Sequence, residues 1–116
     1  MTAQLKTERV DDVIVMTISN PQARNALSPE VYAAAIEVLE TAGKDVGAIV
    51  LTGEGPHFCG GGNLNRLLAN REKDPAVAEE SVTALGNWVD ALRTSEIPVI
   101  AAVEGACAGA GFALAL

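Results

Sequence analysis

The stretch HFCGGGNLNRLL, from His57 to Leu68, sets three consecutive glycines between an apolar run and the expected start of a helix. Glycine loses the most conformational freedom on folding and buries no side chain, so stability alone does not place three of them there. A backbone that another group must approach closely is one reason. Tight turning and close packing at a strand–helix junction is the other. Immediately upstream, AIVLTG (Ala48–Gly53) is short, apolar and β-branched, as expected for a strand covered on both faces in a sheet with helical crossovers. Downstream, IPVIAAV (Ile97–Val103) repeats the strand signal and runs into a second small-residue loop, EGACAGAGFALAL, that opens another helix. AIVLTGEGPHFCGGGNL and PVIAAVEGACAGAGFAL thus form a weak internal repeat of strand, loop and helix start.

Working outward, AQLKTERV and VIVMTIS read as two strands about a turn at Asp11 and Asp12. NPQARNALS then breaks the pattern. Ser28 is placed to cap a helix with Pro29 at its first position, where a missing N–H costs nothing. Val31, Ala34, Ala35, Val38 and Leu39 give that helix one buried stripe, with Gly43 as its stop. A short helix is expected from Asn63 to Asn70, followed by a solvated turn at NREKD. Asp74 and Pro75 repeat the cap-and-proline signal, and Ala78, Val82, Leu85, Val89 and Leu92 predict a second amphipathic helix to about Thr94.

Composition narrows the function classes. The 116 residues are 49% apolar and carry a net charge of −7, from eight Lys and Arg against fifteen Asp and Glu. That balance argues against a nucleic-acid surface or a basic membrane anchor. No run approaches the length of a membrane span, and the N-terminus has no apolar signal region. The two cysteines, Cys59 and Cys107, lack a metal-ligand or disulfide-framework spacing, so no metal is expected and the cytoplasm is the default compartment. Neither has a cationic sequence neighbour that would favour a thiolate, which reads them as small buried apolar residues.

A helix start leaves backbone N–H groups without partners, at the positive end of the helix dipole. One donor from each loop, converging on one oxygen, makes an oxyanion hole, and each such donor is typically worth ~3 kcal/mol of transition-state stabilisation. Phosphate-cradling alternatives fit poorly: no G-x-x-x-x-G-K-[ST] is present, and GGGNLN lacks the G-x-G-x-x-G spacing.

Taken together, ISNPQARNALSPEV, AIVLTGEGPHFCGGGNLNRL and IPVIAAVEGACAGAGFALA resemble the crotonase, or enoyl-CoA hydratase/isomerase, superfamily, over essentially the whole chain. The resemblance implies an α/β crotonase-like (ClpP/crotonase) spiral of ββα repeats. Residues 1–116 would be the N-terminal portion of one such domain, because Leu116 falls inside an apolar helix with no stop signal. It further implies acyl-CoA thioesters as substrates, with coenzyme A entering as part of the substrate and no separate cofactor, and a homotrimer or dimer of trimers. Matched position by position, the two oxyanion donors fall on the backbone N–H groups of Gly62 and Ala110. Ala23, Arg24, Gly60 and Leu64 fall where the family holds the CoA adenine and phosphates. Arg24 has its own rationale as the one cation of NPQARNAL, a guanidinium suited to phosphate, with an ordinary surface cation as the alternative.

Departures from the family pattern are informative. Asn63 stands where an Asp is usual, and Ala113 stands where hydratases carry a catalytic Glu. Alanine neither takes nor gives a proton. Hydration or double-bond isomerisation through a thioester enolate is the leading expectation. A hydrolytic or ring-opening enoyl-CoA enzyme, of the oxepin-CoA hydrolase type, and a non-catalytic acyl-CoA-binding or structural oligomer subunit are the alternatives. Residues 1–116 alone are expected to be inactive. His57 reads as either a catalytic group or a local hydrogen bonder. Glu104 faces either substrate or solvent, Glu79 and Glu80 favour early helical turns, and Trp88 lines either a pocket or a subunit contact.

Overall fold

The computed structural model describes residues 3–62 and 75–116. The expected Asn63–Asn70 helix, the NREKD turn, the Asp74 cap and the Leu64 site lie outside the described residues.

β1 (Gln4–Val10) and β2 (Val13–Ser19) pair antiparallel from Gln4↔Ser19 to Val10↔Val13. Only Asp11 and Asp12 separate them, and Asp11 takes the left-handed conformation (φ 55°) that so tight a reversal demands. α1 (Pro29–Thr41) then carries the chain to β3 (Ala48–Gly53), which pairs parallel with β2 from Val13↔Ala48 to Ile18↔Gly53. α2 (Pro75–Thr94) lies between β3 and β4 (Val99–Ala102), again a parallel pair, from Ile49↔Val99 to Thr52↔Ala102. Parallel neighbours need such a crossover, whereas an antiparallel pair needs only a turn. The sheet order is β1-β2-β3-β4, and α3 (Ala110–Ala115) follows the second loop.

The core lies between the sheet and the helices. Met16, Ile18, Ile49 and Leu51 from the strands meet Val31, Tyr32 and Ala35 of α1 and Trp88 of α2. Trp88 is fully buried against Tyr32, ring centroids 5.9 Å apart, so the indole is a core residue and neither of the two roles considered for it.

Several local expectations need correction. Ser28 sits at the α1 N-cap in extended conformation, but its hydroxyl makes no cap bond. Its carbonyl oxygen accepts from the amides of Val31 and Tyr32 at 3.0 and 3.3 Å, the usual first bonds of a helix, and among the described residues the buried Oγ has no partner. By contrast, α1 stops where expected: it ends at Thr41 with Ala42 as its C-cap, the Ala42 N–H held by the Val38 carbonyl, and Gly43 is the next residue. In α2 the buried stripe is displaced from the predicted one: Val82 is 71% exposed, while Ala84, Leu85, Trp88, Val89 and Leu92 pack on the core. No described element reaches the outer face of that first half of the helix. Covering on both faces also fails in β4, where Val99 and Ala101 are half-buried but Ile100 is 54% exposed.

Candidate active site

Three loops converge beyond the C-terminal ends of the parallel strands. The first is residues 20–27. Pro21–Ala23 form a 3-10 turn, closed by Ala23 and Asn25 N–H groups donating to the Asn20 carbonyl at 3.0 and 2.9 Å. Arg24 and Asn25 are both left-handed (φ 51° and 57°), which turns the Arg24 side chain outward and the Asn25 side chain inward. Asn25 is 1% exposed. Its amide nitrogen donates to the carbonyls of Glu54, His57 and Phe58 at 2.9, 2.7 and 3.3 Å, and its Oδ1 accepts from the Asn20 N–H at 2.9 Å.

The second loop, residues 54–62, is stitched to the first by the Gly60 N–H on the Arg24 carbonyl (2.8 Å) and the Leu27 N–H on the Gly61 carbonyl (2.7 Å). A Cβ at Gly60 would stand 3.2 Å from the Arg24 carbonyl, so the bare backbone permits this approach. The third loop, residues 103–110, pairs parallel with the second at Cys59↔Cys107. The Ala106 carbonyl accepts from Phe58 and Cys59, and the Cys59 carbonyl accepts from Ala108, each at 3.1 Å. Gly61 lies over the start of α3 in a conformation, φ 98°, that suits glycine. A Cβ there would be 3.2 Å from the Ala108 oxygen and 3.4 Å from the Ala110 nitrogen.

Gly62 follows on the exposed side of this contact, and Ala110 opens α3 beside it. Among the described residues neither of these two N–H groups donates a hydrogen bond. A backbone donor without a partner at a helix start is a group that can hydrogen-bond a negatively charged or polarised oxygen. Ala23, Arg24 and Gly60 lie exposed along the first two loops, and Arg24 makes no ion pair among the described residues.

The remaining candidates separate from this centre. The His57 Nδ1 accepts the Ala106 N–H at 2.9 Å, which makes it a hydrogen bonder within the loops. Glu104 is exposed just past β4, and Glu79 and Glu80 are exposed on α2. Cys59 is fully buried, and burial pushes its thiol up to about 11 despite a 3.4 Å hydrogen bond from the Gly61 N–H to Sγ. It remains a protonated packing group at neutral pH. At the far end of β2 from the hairpin turn, Glu54 takes a hydrogen bond from the Ser19 hydroxyl and another from Lys6 Nζ, which together hold its carboxyl below the ordinary range. Among the described residues no cluster of His, Cys, Asp and Glu has a metal-binding arrangement, and no helix is long and apolar enough to cross a membrane.

Sequence reasoning missed Asn25. Its signal was present, an Asn inside a broken-pattern segment, since Asn tolerates the left-handed region and bonds nearby backbone. The three carbonyls that its amide nitrogen reaches, however, lie 29 to 33 residues downstream.

Comparison with known proteins identifies the family and the fold. Residues 8–116 match the family model described as enoyl-CoA hydratase/isomerase. A probable enoyl-CoA hydratase of Mycobacterium tuberculosis is 41% identical over 107 residues, 90% of this chain and 40% of the relative. The hydroxycinnamoyl-CoA hydratase-lyase of Pseudomonas fluorescens is 33% identical over 93% of this chain and 41% of its own length. A crystal structure of an enoyl-CoA hydratase from a Polaromonas species superposes with a TM-score of 0.93 at 52% identity, covering 96% of this chain and 44% of that one. The chain therefore spans about two-fifths of the length of the curated relatives it matches. On the match over residues 8–116, and with the fold shared at that level of identity, the chain belongs to the enoyl-CoA hydratase/isomerase family.

Proposed function

We propose that this segment supplies the oxyanion hole of an acyl-CoA enzyme. The backbone N–H groups of Gly62 and Ala110 receive the thioester carbonyl oxygen as it gains negative charge on the way to an enolate. Donors fixed by the fold need no reorganisation when the charge appears, which is why they favour the transition state over the ground state. The observation that carries the reading is the close approach of Gly61 to Ala110, with neither the Gly62 nor the Ala110 N–H donating to a described residue. Ala23, Arg24, Gly60 and Leu64 hold the coenzyme A portion of the substrate, with Arg24 as the phosphate partner. No cofactor beyond the substrate's own coenzyme A is part of this reading. The full protein acts as a homotrimer or dimer of trimers in the cytoplasm.

Ala113 favours a second form of the same chemistry. It falls within α3, where the family resemblance calls for a carboxylate, so a two-carboxylate addition of water is not available from this segment. A hydrolytic or ring-opening reaction, or isomerisation with one base from elsewhere in the protein, uses the same oxyanion hole without that group.

The test is independent of turnover. Acetoacetyl-CoA forms a chromophoric enolate, and an oxyanion hole raises the enolate fraction of the bound ligand at a given pH. Gly62→Pro in the full-length protein removes one donor and should reduce bound enolate by about 100-fold in equilibrium constant, following the usual worth of such a donor. Unchanged enolate with acetoacetyl-CoA still bound would remove Gly62 from the site.

A further inference from the structure

The two loops are repeats of one another, yet they are not the same length. In the strands, paired residues are 50 apart, as Ile49 faces Val99. At the loop bridge they are 48 apart, as Cys59 faces Cys107. The first loop is therefore longer by two residues between strand and bridge. GPHFC stands against GAC, and the surplus is accommodated at Pro56 and His57.

An insertion of this kind disrupts a parallel ladder. With Cys59 N–H on the Ala106 carbonyl, a regular ladder continues by sending the Ala106 N–H to the carbonyl of His57, two residues before Cys59. Here that carbonyl is taken by the amide of Asn25 at 2.7 Å. The Ala106 N–H goes instead to the His57 ring, at 2.9 Å from Nδ1. Gly105 leaves room for the imidazole, since a Cβ there would stand 2.7 Å from Nδ1. Accepting at Nδ1 puts the ring proton on Nε2. The side chain of one residue thus replaces the backbone acceptor that the same residue has surrendered.

We propose that His57 is a positioning residue for the reaction. Its Nδ1 holds the Ala106 peptide, and with it the loop that presents the Ala110 donor, in register with the loop that presents Gly62. This rests on the oxyanion reading above. Asn25 is the other half of the arrangement, because its hold on the His57 carbonyl leaves the ring as the acceptor for Ala106. The tie contributes geometry and touches no substrate, so it acts on how well the two donors converge.

Two substitutions in the full-length protein separate this role from the alternatives. His57→Asn places an oxygen near the Nδ1 position, and His57→Gln places its amide near Nε2 instead. With misplacement of reacting groups costing up to ~100-fold, His57→Gln should lower the bound acetoacetyl-CoA enolate about tenfold and speed amide exchange at Ala106 at least about tenfold. Affinity for coenzyme A should stay within about twofold, and His57→Asn should leave all three close to the parent. A folded His57→Asn variant that loses the enolate, or a His57→Gln variant that keeps both the enolate and Ala106 protection, would overturn the proposal. Should His57→Gln fail to fold, His57→Asn decides alone: retention supports the tie and loss refutes it. Gly62→Pro run in parallel keeps the two ideas apart. If it leaves the enolate untouched, the oxyanion reading fails, while Ala106 exchange still reports whether His57 makes the tie.

Discussion

Asn25 concentrates more of the site's order than any other single side chain described. Four hydrogen bonds converge on its amide while the residue itself is 1% exposed and left-handed. Substitution by alanine strands buried polar groups on loops 20–27 and 54–62 at once. Leaving buried groups unsatisfied costs about 1–3 kcal/mol each, so Asn25→Ala should destabilise the protein by about 3 kcal/mol in chemical denaturation. A loss below about 1 kcal/mol would mean that water replaces the amide without penalty. Asn25→Asp should be no remedy, because an ionised carboxylate cannot donate to the three carbonyls.

Among the elements, the β1–β2 hairpin is tied to the end of β3 by the group of Lys6, Ser19 and Glu54. Lys6 Nζ lies 3.2 Å from Glu54, and Ser19 and Lys6 together hold the Glu54 carboxyl below its ordinary value of 4.5. A carboxylate whose folded value is depressed contributes stability that is present above the unfolded value and is lost as pH falls through the folded one. The contribution should therefore disappear on acidification below about pH 4.5, and Glu54→Gln should flatten that part of the stability–pH curve while leaving its shape near pH 7 unchanged. Thermal melting of both proteins across pH 3 to 7 checks this. Parallel curves for parent and variant would show that Glu54 is solvated and inert. The Arg9–Asp45 pair at 3.0 Å has both side chains exposed, so salt screens it.

At the scale of the whole molecule, apolar surface is left uncovered. Val82, Ile100, Val103 and Leu116 are 71%, 54%, 44% and 90% exposed. A cleft of about 510 Å³ opens among Leu51, Val89, Leu92, Val99, Ala101 and Leu114, where β3 and β4 meet α2 and α3. β4 is also the edge of the described sheet, with backbone groups free to pair with another chain. The 116-residue chain by itself is therefore expected to self-associate at micromolar concentration, and Ile100→Lys should shift it toward monomer in analytical ultracentrifugation. A parent chain that sediments as a monomer throughout would show that these surfaces are not adhesive.

Sequence periodicity by itself determined the strands, the two long helices and the order in which they occur. Proline at Pro29 and Pro75, and alternation or runs of apolar residues, act over a few positions and leave a local mark. The two glycine loops and the repeat they belong to were equally visible, because close backbone approach demands glycine whatever the rest of the fold does. Tertiary structure alone decided which face of α2 is buried, and so took Trp88 into the core and left Val82 in solvent. It also decided that Asn25 and His57 are spent on holding loops. Each of those outcomes depends on partners between 29 and 56 residues away, as Asn25 finds Glu54 and Tyr32 finds Trp88. A hydrogen bond or ring contact over such a separation has no periodicity to announce it and exists only once the sheet has brought the segments together.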